Sequence, residues 1–174
     1  MTPRSGISGY ADGRRKVQCA IGLVVLFFAT LVPAVFAQPA ATKAPRTILV
    51  MGDSLSAAYG LSASQGWVAL TAERMGKSHP GWKMVNASIS GETTAGGAAR
   101  IDAELKRHRP AVVVIELGAN DGLRGLPLQQ MGSNLGWMIG ASKAAGARVL
   151  LVGMQLPPNF GRYASDFERS YLLI

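Results

Sequence analysis

Arg46-Thr47-Ile48-Leu49-Val50-Met51-Gly52-Asp53-Ser54-Leu55-Ser56 sets a short apolar run directly before a triplet of small, turn-forming residues. Ile48 to Met51 read as a buried strand. Gly52-Asp53-Ser54 then throws the chain out of the sheet. A serine just past a strand end, at the start of a helix, has an exposed hydroxyl. It also has a free backbone N–H in a region of positive partial charge, which suits a nucleophile. Asp53 and Ser54 read equally well as caps of the following helix, and the stretch by itself leaves both readings open.

Outward from this stretch, Leu55 to Ser62 are small and Gly-containing and read as a helical turn or loop, and strand and helix patterns then alternate. From Gln65 to about Lys77, Val68, Leu70, Ala72 and Met75 recur at helical spacing with Trp67 near the start, and Ser78-His79-Pro80-Gly81 ends the pattern. Trp82 to Asn86 is a second strand, running into Ala87-Ser88-Ile89-Ser90-Gly91. Glu92-Thr93-Thr94 opens a helix, with Thr93 or Thr94 as its cap and Ala98, Ile101 and Leu105 on one face, and Arg107-His108-Arg109-Pro110 stops it. Ala111 to Leu117 is the clearest strand, nearly continuous in β-branched residues as befits a strand covered on both faces, and it ends at Gly118-Ala119-Asn120-Asp121-Gly122.

After Leu126-Pro127 a long helix runs to about Ala145, where Gly132, Gly136 and Gly140 recur on one face and predict close packing against a sheet. Arg148 to Met154 is a fourth strand, followed by a loop over Leu156 to Gly161 and a helix from Ala164 to Ile174. Strands alternating with helices predict one α/β domain with a parallel sheet wound on both sides.

The bulk composition agrees with a packed domain. Of 174 residues, 48% are hydrophobic and 16% charged, which is a globular and not a disordered composition. Lys and Arg number 18 against 10 Asp and Glu, for a net charge of +8. Part of that charge belongs to a leader. Arg4, Arg14, Arg15 and Lys16 precede an apolar run from about Val17 to Phe36, and Val35-Phe36-Ala37 carries small residues at cleavage spacing. This is the layout of a secretory signal peptide over residues 1–37, with a tether over 38–45.

An uncleaved anchor is the competing reading, since the run approaches the ~20 residues a membrane span needs; Pro33 and the small-residue exit favour cleavage. Cleavage takes four basic residues and Asp12, leaving 14 basic against 9 acidic residues and a charge of +5. That charge is interleaved with acids and has no basic run rich in aromatics, so nucleic acid is not an expected partner. Cys19 is the only cysteine. It lies too early in the apolar run for a lipid-attachment cysteine, so the mature chain is expected to have no disulfide and no stable membrane insertion. Periplasmic or secreted location in a bacterium is compatible with that.

In a sheet of this kind ligands bind outside the carboxyl ends of the strands. The segments there are Ser54, Asn86 to Gly91, and Gly118 to Asp121. They can bring together a hydroxyl, a glycine whose N–H approaches a ligand closely, and a carboxamide donor. That set suits acyl transfer, because a developing oxyanion needs preorganised hydrogen bonds, each worth ~3 kcal/mol of barrier. Taken singly, Gly91 also reads as an ordinary turn glycine and Asn120 as a turn cap.

Taken together, Gly52-Asp53-Ser54-Leu55-Ser56, Ile89-Ser90-Gly91-Glu92-Thr93 and Gly118-Ala119-Asn120-Asp121-Gly122 resemble three motif blocks of the SGNH, or GDSL, hydrolases. Leu123-Arg124-Gly125 and Gln155-Leu156-Pro157-Pro158-Asn159-Phe160-Gly161 extend the resemblance to the bacterial branch of periplasmic thioesterase/lysophospholipases and arylesterases. The resemblance covers about Arg46 to the last residue. It implies a flavodoxin-like three-layer sandwich and hydrolysis of small-molecule esters or thioesters, with no metal or organic cofactor. Ser54 takes the place of the nucleophile. The Ser54 and Gly91 N–H groups and the Asn120 side chain take the place of the oxyanion hole, and Asp121 to Leu126 fall beside the acyl groove.

A serine also needs a base, usually His oriented by a carboxylate. The family carries both in an Asp-x-x-His block, which is absent here. His79 and His108 fall in helix-to-strand turns, at the opposite edge from Ser54. By resemblance a further strand, that block and a closing helix should follow Ile174. The expectation is therefore a truncated hydrolase domain over 46–174, nearly inactive as written. A non-catalytic module binding acyl or glycan ligands is the alternative. A nucleotide-binding protein fares worse, since no Gly-x-x-x-x-Gly-Lys or Gly-x-Gly-x-x-Gly follows the first strand.

Overall fold

The computed structural model describes residues 46–174. The leader and tether read from residues 1–45 lie outside the described residues. In chain order the elements are β1 (Arg46–Gly52), α1 (Trp67–Ser78), β2 (Trp82–Asn86), α2 (Thr94–His108), β3 (Val112–Glu116), the short α3 (Ala119–Leu123), α4 (Leu128–Ala144), β4 (Arg148–Leu151) and α5 (Arg162–Leu172). The four strands are parallel in the order β2-β1-β3-β4. Ile48 sits opposite both Met84 and Val112, and Gly52 opposite Glu116. The carboxyl ends of β1, β2 and β3 therefore finish along one edge.

Alternation along the strands explains the two packed faces. Leu49, Met51, Val113, Ile115 and Leu117 point to one side, where Ile101 and Leu105 of α2, Met131, Leu135 and Met138 of α4, and Phe167 of α5 close the main core. Val50 and Val114 point to the other and meet Val68 of α1, with Ile48, Met84 and Val152 partly buried beside them. β1 and β3 are central and covered by residues on both sides, hence their unbroken apolar runs. The parallel sheet between two helical layers is the arrangement anticipated from the alternating patterns.

Three local expectations are corrected. Ser54 does not open a helix: residues 54–60 form consecutive turns, and Ala58 at φ 61 lies in the left-handed region, which a right-handed helix cannot include. Thr93 occupies the N-cap position of α2, but its side chain makes no capping bond. The Asp121 carboxylate, from a distant segment, accepts the Thr94 N–H at 2.8 Å and its hydroxyl at 2.6 Å instead. The glycine stripe of α4 does not face the sheet, for a Cβ at Gly132, Gly136 or Gly140 would meet nothing within 4 Å. The buried face of α4 is the Met131, Leu135, Met138 stripe.

An exposed helix glycine costs backbone entropy without any packing return. Gly136→Ala and Gly140→Ala are each expected to raise unfolding free energy by about 0.5–1 kcal/mol in urea titrations. Packing against a sheet would give a loss instead.

Candidate active site

The carboxyl edge of the sheet gathers three segments. The chain leaving β2 keeps pace with β1: the Ala87 N–H donates to Val50 O at 2.9 Å and the Ile89 N–H to Gly52 O at 3.0 Å. This brings Gly91 toward the Ser54 turn. The turn itself is set by Asp53, which is buried; its Oδ1 accepts the Leu55 N–H at 3.0 Å. That is an Asx-type turn, in which a carboxylate stands in for a backbone acceptor. Behind it the Asn86 amide donates to Ser56 O at 2.7 Å.

The third segment follows β3. The Asn120 Nδ2 donates to Asp53 Oδ2 at 3.1 Å and to Glu92 O at 3.1 Å, so one carboxamide ties all three segments together. Arg124 adds a second tie, donating to Gly91 O at 2.9 Å. Glu92 is held in turn by a two-pronged ion pair with Arg100. Gly118 is required at the bend: its φ is +127, and a Cβ there would collide with the Tyr171 hydroxyl.

Within this frame Ser54 is half-buried, and no described residue hydrogen-bonds its hydroxyl. The N–H groups of Ser54 and Gly91 are likewise unused by other described groups. The sequence-predicted residues Ser54, Gly91 and Asn120 thus share one edge, each on its own segment.

His79 and His108 do not join them. His79 caps α1, its ring 2.8 Å from the Ser78 hydroxyl, and its carbonyl accepts the N–H of Trp82, which lies opposite Arg46, the first residue of β1. His108 closes α2 and faces Glu104 at 3.2 Å. Strand rise puts the two edges about 20 Å apart, beyond any proton transfer to or from Ser54.

A match to the GDSL-like Lipase/Acylhydrolase family model spans residues 50–172, from the first strand through the last helix. The chain belongs to this family. It is 55% identical over 129 residues to the esterase TesA of Pseudomonas aeruginosa, covering 74% of this chain and 64% of that one. It is 45% identical over 130 residues to thioesterase 1/protease 1/lysophospholipase L1 of Escherichia coli K12, covering 72% of this chain and 59% of that one. The chain therefore spans about three fifths of the length of these curated relatives. Among solved structures, the psychrotrophic esterase EstA of a Pseudoalteromonas species, inhibited by monoethylphosphonate, superposes with TM-score 0.71 at 45% identity, over 74% of this chain and 70% of that one.

One part of this GDSL edge escaped the sequence reading. Glu116, the last residue of β3, is buried and accepts a hydrogen bond from the Ser56 hydroxyl at 2.5 Å, while the Trp67 indole N–H donates to that same hydroxyl at 3.2 Å. Gly52 permits this approach, since a Cβ there would lie 2.7 Å from Glu116 Oε2. The available signal was a lone acid inside an otherwise apolar strand. Burial raises the Glu116 pKa above 4.5, the Ser56 hydrogen bond opposes that, and the nearby negative charge of Asp53 adds to the rise. Its other oxygen, Oε1, has no partner among the described residues.

A raised folded pKa means that the native state binds this proton more tightly than the unfolded chain does. The resulting stability is complete below the unfolded pKa and is lost as pH rises through the folded one. Glu116→Gln keeps the acceptor and cannot ionise. Urea midpoints are expected to fall less for Glu116→Gln than for the parent as pH rises from about 4 to 8.

Proposed function

We propose that this protein is a serine hydrolase of carboxylic esters or thioesters that works through an acyl-enzyme on Ser54. The observation that carries the reading is the unengaged Ser54 hydroxyl and N–H, on the same edge as the unengaged Gly91 N–H and the Asn120 amide. Ser54 Oγ attacks the substrate carbonyl carbon and its proton passes to solvent. The carbonyl oxygen, gaining negative charge, is received by the Ser54 and Gly91 N–H groups and the Asn120 amide. Both hydrogens of that amide are already in use, so the oxyanion displaces the Glu92 carbonyl; the charged Asp53 acceptor is the stronger of the two and keeps its bond. Collapse breaks the C–O or C–S bond, the alcohol or thiol leaves with a proton, and water then cleaves the acyl-serine.

The relatives' names support the substrate class: an esterase, and a thioesterase/lysophospholipase. A phosphonate inhibitor on EstA supports the chemistry, being tetrahedral at phosphorus like the addition intermediate. In this reading residues 1–37 direct export to the periplasm or medium. Among the described residues no helix is long and apolar enough to cross a membrane.

Since neither histidine of the chain reaches Ser54, its attack has no imidazole to take the proton, and turnover by these 174 residues is slow. The same feature favours a second reading, a module that binds acyl or glycan ligands without turnover. Hydrolysis of p-nitrophenyl butyrate separates the two. A slow rate that falls to the uncatalysed background in Ser54→Ala, and by about a hundredfold in Asn120→Ala, is expected of the hydrolase. Equal rates in the parent and Ser54→Ala leave only the binding module.

A further inference from the structure

α5 carries Tyr163, Phe167 and Tyr171 at intervals of four, and residues so spaced share one helix face. All three meet the same stretch of chain, the segment from Leu117 to Leu126 that carries Asn120. The Tyr171 hydroxyl donates to Leu117 O at 3.0 Å, at the segment's first residue. The Tyr163 hydroxyl donates to Leu126 O at 2.7 Å, at its last. Between them the fully buried Phe167 ring lies under the middle, so close that a Cβ on Gly122 would come within 2.7 Å of it. Phe167 also meets Tyr171 edge-to-face, centroids 5.4 Å apart.

Neither carbonyl has a backbone partner among the described residues, so the two phenols satisfy acceptors that the loop leaves over. The same segment is also pinned by Asp121 to Thr94 and by Arg124 to Gly91. Asn120 is therefore gripped between two sets of anchors.

We propose that the Tyr163–Phe167–Tyr171 stripe of α5 is a clamp that fixes the Asn120 carboxamide, making the two tyrosines positioning residues for the oxyanion site. This rests on the serine-hydrolase reading for its catalytic consequence, but not for the clamp itself. Near-attack geometry tolerates little displacement: a shift of about 1 Å costs on the order of a hundredfold in rate. A loop held at both ends and the middle limits such shifts in a way that propensity within the loop cannot. Burial, with Asp121, Glu116 and Asp53 nearby, holds the Tyr171 phenol well above its ordinary range, so the clamp keeps its proton across the pH range in which esters are assayed.

The test removes only the hydroxyls, with Tyr163→Phe, Tyr171→Phe and the exposed control Ser165→Ala. NMR of the Asn120 side-chain amide and hydrogen exchange over residues 117–126 report the clamp without any need for turnover. Each Phe variant is expected to shift or broaden that amide pair and to speed exchange in the segment about tenfold, leaving β1 and β3 protected and Ser165→Ala unchanged. In ester hydrolysis each is expected to lower kcat about tenfold at unchanged KM, and to lower it no further in an Asn120→Ala background.

An unperturbed Asn120 amide in both variants overturns the clamp. So does a kcat loss that simply adds to that of Asn120→Ala, the signature of general destabilisation. A perturbed amide in a protein lacking Ser54-dependent hydrolysis upholds the clamp and overturns only the hydrolase reading. Because Tyr163 is at the helix start and partly exposed, its variant keeps the test open if Tyr171→Phe folds poorly.

Discussion

The Asn120 carboxamide ties its own segment to the Ser54 turn and to the Gly91 loop, by donating to Asp53 and to the Glu92 carbonyl beyond the last backbone bond between β1 and the chain leaving β2. The sheet delivers the ends of β1, β2 and β3 to one edge, but it does not decide how the loops beyond them lie. Those loops are short of regular structure, so their polar groups must be satisfied by one another. Asp53 does this twice, turning its own loop through Leu55 and accepting from Asn120. Asp121 does it across the edge, supplying the cap that the N-terminus of α2 lacks locally. Each carboxylate is buried and each is answered by hydrogen-bond donors, the condition under which such burial is tolerated.

Behind this frame sits an ionisable group with less compensation. Glu116 has one oxygen bonded to Ser56 and the other without a described partner, in a strand buried on both faces. Burial and the adjacent Asp53 hold its pKa above the ordinary value. Glu116 also ties the third strand to the loop carrying Ser54, through Ser56 and the Trp67 indole at the start of α1. The turn that carries Ser54 is thus supported through Glu116 and Ser56 as well as by Asn120.

The separation of both histidines from Ser54 is equally physical. In a parallel sheet, residues that precede a strand and residues that follow it lie at opposite edges. His79 precedes β2 and His108 precedes β3, which puts both across the sheet from the serine. No rotamer bridges that span. Neither histidine of this chain can therefore exchange a proton with Ser54.

By itself the sequence determined the class of fold and which segments meet at the candidate site. Its short, β-branched apolar runs alternate with helix-period segments, the pattern of a parallel α/β sheet, and Trp82–Asn86 was legible residue for residue. That the segments carrying Ser54, Gly91 and Asn120 share an edge was legible because residues following parallel strands lie on one side of the sheet; the choice of those three residues within them rested on the family resemblance. What only the tertiary structure decided were the long-range polar contacts: Asp121 capping α2, Glu116 on Ser56, and the α5 tyrosines on the ends of the Asn120 loop. It also decided that the α4 glycines face open space. Periodicity reports which residues of one element lie together, a property set by backbone geometry within that element. It carries no information on which remote acceptor a buried donor will meet, because that depends on how separate elements pack.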